Sequence, residues 1–109
     1  MALSNARVSM RDAAKKGEII EIKTLIRHPM ETGYRVDHMG KPIPRDIVKR
    51  FSATYAGEPV FEMDLTQGVA ANPFIAFSIV ATDTAEMVFT WENEAGETAV
   101  VRRTLTVTE

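Results

Sequence analysis

Glu18-Ile-Ile-Glu-Ile-Lys-Thr-Leu-Ile26 is the stretch that decides the fold class. Side chains alternate across a strand, so the run sets Ile20, Ile22, Thr24 and Ile26 on one face and Ile19, Glu21, Lys23 and Leu25 on the other. One face is apolar and the other mixed, the signature of a strand with one side on a core. The same period returns downstream. Residues 47–55 align Phe51, Ala53 and Tyr55, residues 60–65 align Phe61, Met63 and Leu65 against Glu62 and Asp64, and residues 87–92 align Met87, Phe89 and Trp91. Residues 74–81 are apolar at both parities and predict a nearly fully buried strand, while residues 98–107 are rich in β-branched side chains. Ala56-Gly-Glu-Pro59, Ala70-Ala-Asn-Pro73 and Asn93-Glu-Ala-Gly96 supply the turns between them.

With a weaker strand over residues 6–11, the count is about seven short strands at roughly ten-residue spacing. That predicts an all-β chain folded as an immunoglobulin-like antiparallel β-sandwich, with Trp91 in the core between the sheets. Met10, Met63 and Met87, and Phe61, Phe74, Phe77 and Phe89, are predicted core residues on the same grounds.

Composition bounds what such a sandwich does. A chain of 109 residues forms one core, and we expect a single domain over residues 1–109. Hydrophobic residues make up 45% and charged residues 26%, which matches ordinary globular chains and argues against disorder. Thirteen Lys and Arg against fifteen Asp and Glu leave no surplus positive charge for a phosphate backbone, so no nucleic acid partner is expected. No apolar run approaches the length of a membrane span, and no basic region followed by an apolar stretch opens the chain, so neither a membrane nor a signal peptide of its own is expected. With no cysteine there is neither a disulfide nor a thiol nucleophile, and thiol chemistry would need a partner. A Gly-x-Ser-x-Gly elbow, a phosphate cradle and a triad pattern around either histidine are all missing, so the chain is not expected to be an enzyme or to hold a nucleotide cofactor.

Residues 27–45 break the strand pattern and hold three of the five prolines and both histidines. Connections of that length in small domains are commonly functional. Glycine turns at Gly33 and Gly40 flank Tyr34, Arg35 and Met39, residue types that interfaces favour. His28, Met30, His38 and Met39 also form a ligand set suited to copper, although their spacing matches no standard site. The competing reading is structural, with His28 and Pro29 ending a strand and His38 exposed in a loop. The short basic pairs, Arg102 with Arg103 among them, read as solvated strand faces.

Five strings resemble one family in order and spacing. They are Ile22-Lys-Thr-Leu-Ile-Arg-His-Pro-Met-Glu-Thr-Gly-Tyr-Arg35, Gly40-Lys-Pro-Ile-Pro-Arg45, residues 51–55, Ala70-Ala-Asn-Pro-Phe74 and Phe89-Thr-Trp91. Together they resemble the SoxZ family, the small subunit of the SoxYZ carrier of bacterial thiosulfate oxidation. The resemblance implies a heterodimer with a SoxY-type subunit, whose cysteine, in a glycine-rich C-terminal tail, carries the sulfur intermediates between enzymes. It implies a non-catalytic scaffold without cofactor or metal, making transient contacts with the pathway enzymes. It also implies a periplasmic location, reached by export together with the signal-bearing partner. For partner binding we expect either the Ile19 and Leu25 face or the Val60 and Val88 side to meet the carrier subunit, with Arg27, His28, Met30, Glu31, Tyr34 and Arg35 facing the enzymes. Pro29, Gly33, Gly40, Pro42 and Pro44 are expected to shape the loop.

Overall fold

The computed structural model describes residues 5–66 and 68–109. In chain order the strands are β1 (Ala6–Ser9), β2 (Ala13–Lys15), β3 (Ile19–Ile26), β4 (Val48–Tyr55), β5 (Glu58–Asp64), β6 (Phe74–Val80), β7 (Ala85–Asn93) and β8 (Thr98–Thr108). They form a three-stranded sheet in the order β1-β3-β6 and a five-stranded sheet in the order β2-β8-β7-β4-β5. The architecture is the expected immunoglobulin-like sandwich, with two differences. The weak first strand expected over residues 6–11 is β1, and a further strand that sequence reading did not predict, β2, follows it in the other sheet. This added strand runs parallel to β8, with Ala14 opposite Val107, where an antiparallel sandwich was expected.

The alternation of β3 decides how the sheets face. Ile20, Ile22, Thr24 and Ile26 are buried, and the one polar member, Thr24, donates its hydroxyl to the Ile75 carbonyl at 2.8 Å. Across the interface stand Phe51, Ala53 and Tyr55 of β4 and Met87, Phe89 and Trp91 of β7, all buried as their period predicts. Trp91 packs on Phe51 at a ring separation of 5.0 Å, within the range aromatic pairs prefer. Its indole nitrogen has no hydrogen-bond partner among the described residues, so packing holds it in place.

Two core expectations need correction. β6 is not nearly fully buried. It alternates, with Ile75 and Ile79 inside and Phe74 (61% exposed) and Val80 (51% exposed) outside. Pairing with β3 fixes this parity, since Ile75 lies opposite buried Thr24 and Phe74 opposite Leu25. Met63 is exposed as well, because β5 is an edge strand whose facing sheet does not reach over it. Phe61 and Phe77 are half-buried against the core, as is Met10.

Turn chemistry sets the β4–β5 register. Ala56 and Gly57 both have positive φ, +53° and +82°, the geometry of a two-residue hairpin that follows strand twist. A register shift between Ala53 and Thr54 then sets Pro59 opposite Thr54, a position an edge strand tolerates because the missing N–H is not needed by a neighbour. At the same end of the sandwich the Tyr55 hydroxyl donates to the Asp83 carbonyl and accepts the N–H groups of Thr82 (3.2 Å) and Asp83 (2.9 Å). It thereby fixes the turn between β6 and β7.

Candidate partner-binding surface

The segment between β3 and β4 is an arm rooted in the sandwich. Its root joins two proline breakers that lie far apart in sequence. The His28 N–H donates to Asn72 Oδ1 at 2.9 Å, and the Asn72 N–H donates back to the His28 carbonyl at 2.7 Å. Asn72 has φ +53°, a left-handed conformation that asparagine adopts more readily than most residues. The His28 ring is buried, and its Nδ1 accepts the Met30 N–H at 2.9 Å. A neutral ring therefore carries its proton on Nε2, which lies 3.4 Å from Asp46 Oδ1. Met30 is buried with φ +51°, and its sulfur accepts the N–H of Val48 at 3.3 Å.

Beyond the root the arm doubles back on itself. Glu31 and Asp46 exchange N–H···O bonds of 2.8 and 2.9 Å, Val36 bridges to Pro42, and Asp37 Oδ1 accepts the N–H groups of Met39 and Lys41 to form the tip that includes Gly40. Gly33 is required twice over. Its φ is +87°, and a Cβ there would lie 2.9 Å from Arg45 Cβ. Arg45 in turn clasps Glu94 at the β7–β8 turn through bonds of 2.8 and 2.7 Å, which hold its guanidinium more firmly protonated than usual.

Of the residues expected to face partner enzymes, the structure thus turns His28 and Met30 inward, where they anchor the arm. Glu31 is half-buried and lies 3.5 Å from Arg35, while Arg27, Tyr34 and Arg35 are exposed. Pro29 and Pro44 are exposed at irregular bends. The copper set is not assembled, because His38 and Met39 are exposed at the tip while both His28 nitrogens and the Met30 sulfur already have partners. Among the described residues no three His, Cys, Asp or Glu side chains form a group that could hold a metal ion.

The other exposed apolar surface is the outer face of the three-stranded sheet. Register puts Ile19 opposite Val80 at one end and Leu25 between Arg7 and Phe74 at the other, with Glu21 and Lys23 in the middle. Ile19 is 70% exposed and Leu25 half-buried. Phe74 and Val80 enlarge this patch, and sequence reading missed them because an apolar run at both parities carries no sign of which parity faces water. Asn72 was missed for a different reason, since its bonding to His28 spans forty-four residues. Val60 and Val88 do not share one setting. Val60 lines a cleft with Val80, whereas Val88 is half-buried in β7 between Thr54 and Arg102.

Fold and surface define a class: a cysteine-free immunoglobulin-like sandwich with an apolar sheet face and a braced arm. Comparison with known proteins makes this specific. The sequence matches the family Sulphur oxidation protein SoxZ over residues 8–103, and the chain belongs to that family. A search of curated proteins gives no match. Among solved structures, the fold is similar to the sulfur carrier protein SoxY from Chlorobium limicola f thiosulfatophilum, with TM-score 0.70 and 12% identity over 100% of this chain and 84% of that one. It is also similar to a superoxide reductase (neelaredoxin) from Ignicoccus hospitalis, with TM-score 0.75 and 10% identity over 97% of this chain and 82% of that one. At such identities the likeness is one of fold. Membership of the SoxZ family makes the chain a sulfur-oxidation carrier-complex protein.

Proposed function

We propose that this chain is the non-catalytic subunit of a SoxYZ-type carrier. It gives a rigid body to a SoxY-type partner whose C-terminal cysteine holds the sulfur intermediates of thiosulfate oxidation, and it helps present that partner to the pathway enzymes. The observation that carries the reading is the family match over residues 8–103 in a chain without cysteine, which leaves covalent sulfur transfer to another subunit. The Ile19 and Leu25 face, extended by Phe74 and Val80, suits the partner, since an exposed apolar patch of this kind marks interaction surfaces. The arm, with Arg27, Glu31, Tyr34 and Arg35 along it, suits transient contacts with enzymes. Location in the periplasm, by export together with the partner, belongs to the same proposal.

Native mass spectrometry of the chain purified from its own cells tests this. A one-to-one complex with a cysteine-bearing protein that shows sulfur mass additions is expected. A lone chain, or turnover of sulfur substrates by the isolated chain, would sink the reading.

A further inference from the structure

The sandwich has an unfinished edge. In a constant-type immunoglobulin sheet the strand equivalent to β6 is flanked by a fourth strand, whereas here the chain passes from β5 in one sheet to β6 in the other, and β6 is the border of its sheet. Two bonds at its ends fix which backbone groups are spent on β3: the Pro73 carbonyl accepts the Ile26 N–H at 3.3 Å, and the Ala81 N–H donates to the Glu18 carbonyl at 2.8 Å. An antiparallel ladder alternates, so Phe74, Ala76, Ser78 and Val80 direct their N–H and C=O groups away from β3.

Natural edges are blunted by charge, proline or brevity. β5 carries Glu58, Pro59, Glu62 and Asp64, β1 and β2 are short, and β1 includes Arg7. β6 has none of these guards. Phe74-Ile-Ala-Phe-Ser-Ile-Val80 holds no ionisable residue and no proline. Beside it Phe77 stacks on Phe61 of β5 at 4.6 Å, both half-buried, so the seam between the two edge strands is apolar and only partly covered. At the Val80 end lies an open cleft of about 440 Å³ lined by Tyr55, Val60 and Val80 together with Glu58 and Asp83. Among the described residues neither of those carboxylates has a cationic partner.

We propose that the free edge of β6 is a strand-addition site for the carrier subunit. An extended segment of that partner pairs with residues 74–80 through main-chain bonds, and a lysine or arginine at its end lies in the cleft beside Glu58 and Asp83, its methylenes on Val60 and Val80. Charge selects the occupant. A second copy of β6 brings no basic residue to the cleft, whereas a different chain supplies one. This deepens the carrier-subunit reading and rests on it.

Amide hydrogen exchange resolved residue by residue is the test, on the chain alone and in its complex with the co-expressed SoxY-type subunit. In the complex the amides of Phe74, Ala76, Ser78 and Val80 are expected to exchange at least about tenfold more slowly, since each gains a hydrogen bond. Ser78→Pro removes an outward N–H without touching the β3 ladder and is expected to weaken the complex by about tenfold. The double variant Glu58→Gln with Asp83→Asn tests the cleft without altering the strand, and is expected to weaken the complex and flatten its salt dependence. A complex that forms while the four amides stay unprotected and both variants bind unchanged overturns the edge proposal and leaves the carrier reading intact. Failure to form any complex overturns both. Protection that appears in the chain alone as its concentration rises assigns the edge to a second copy and overturns the proposed occupant.

Discussion

The two seams of the sandwich are finished differently. On the β1 and β8 side the chain itself crosses between sheets through β1 and β2, and Arg103 of β8 spans the gap by donating to the Val8 carbonyl at 2.7 Å and to Asp12 Oδ1 at 2.8 Å. On the β5 and β6 side no strand crosses over among the described residues, and a pair of half-buried phenylalanines stacks above an open cleft. Backbone and charge close one seam, while the other offers apolar surface and unspent backbone groups. On the proposed carrier-subunit reading, the open seam is the side offered to the partner while the closed seam holds the two sheets together.

Four substitutions and a titration probe this contrast. Phe51→Ala has the largest expected effect, because Phe51 is fully buried and its ring lies 6.0 Å from Phe61 and 6.2 Å from Phe77, behind the open seam. A loss of about 3–5 kcal/mol in denaturant unfolding is expected, and a much smaller loss would mean that the open seam is not backed by the core. Arg103→Ala comes next, at about 2 kcal/mol, since charge-assisted bonds are lost and the Val8 carbonyl loses a donor. Its sharper readout is hydrogen exchange: β1 amides should exchange faster while those of β4 and β7 do not, and uniform acceleration would break the distinction between the seams.

Tyr55→Phe removes the hydroxyl that holds the turn at the end of the open cleft, leaving two N–H groups without their acceptor. About 1–2 kcal/mol is expected, with the exchange increase confined to residues 82 and 83. Met30→Leu keeps volume but deletes the sulfur that accepts the buried Val48 N–H, so about 1 kcal/mol is expected in thermal unfolding. An unchanged stability would show that the arm root is held by packing alone.

The smallest effect concerns acid. Glu18 is held below its ordinary carboxylate value, chiefly by the hydrogen bond from Arg11 and then by the Lys15 N–H. Stabilisation from a carboxylate lowered in this way is present above its unfolded value and disappears as pH falls through the folded one. An NMR titration of Arg11→Ala should therefore move Glu18 upward, toward its ordinary range. An unmoved Glu18 would remove Arg11 as the cause.

The difference between the seams explains what was legible in the sequence. β3, β4 and β7 alternate because one face meets core and the other meets water or a neighbour's polar side chains. The inward residues Ile20, Ile22, Thr24, Ile26, Phe51, Ala53, Tyr55, Met87, Phe89 and Trp91 were legible from that period, whereas buried Val48 and Asn93 at the strand ends were not. β6 and β5 border the open seam, where apolar side chains remain exposed, and there the rule that apolar means buried misplaced Phe74 and Met63. The arm divides in the same way. Glycine and proline chemistry located its turns, whereas the inward placement of His28 and Met30 depends on Asn72 and Val48, partners no local window contains.

By itself the sequence determined the all-β class, the positions of the strands other than β2, the aromatic core around Trp91 and the family, because each rests on local periodicity or on strings whose order can be read directly. Tertiary structure alone decided that β1 and β2 part between two sheets, that β6 borders its sheet with Phe74 and Val80 outward, and that His28 anchors an arm. The physical reason is that a strand's period fixes only which residues share a face, while burial of that face and satisfaction of its backbone depend on which distant strand lies alongside.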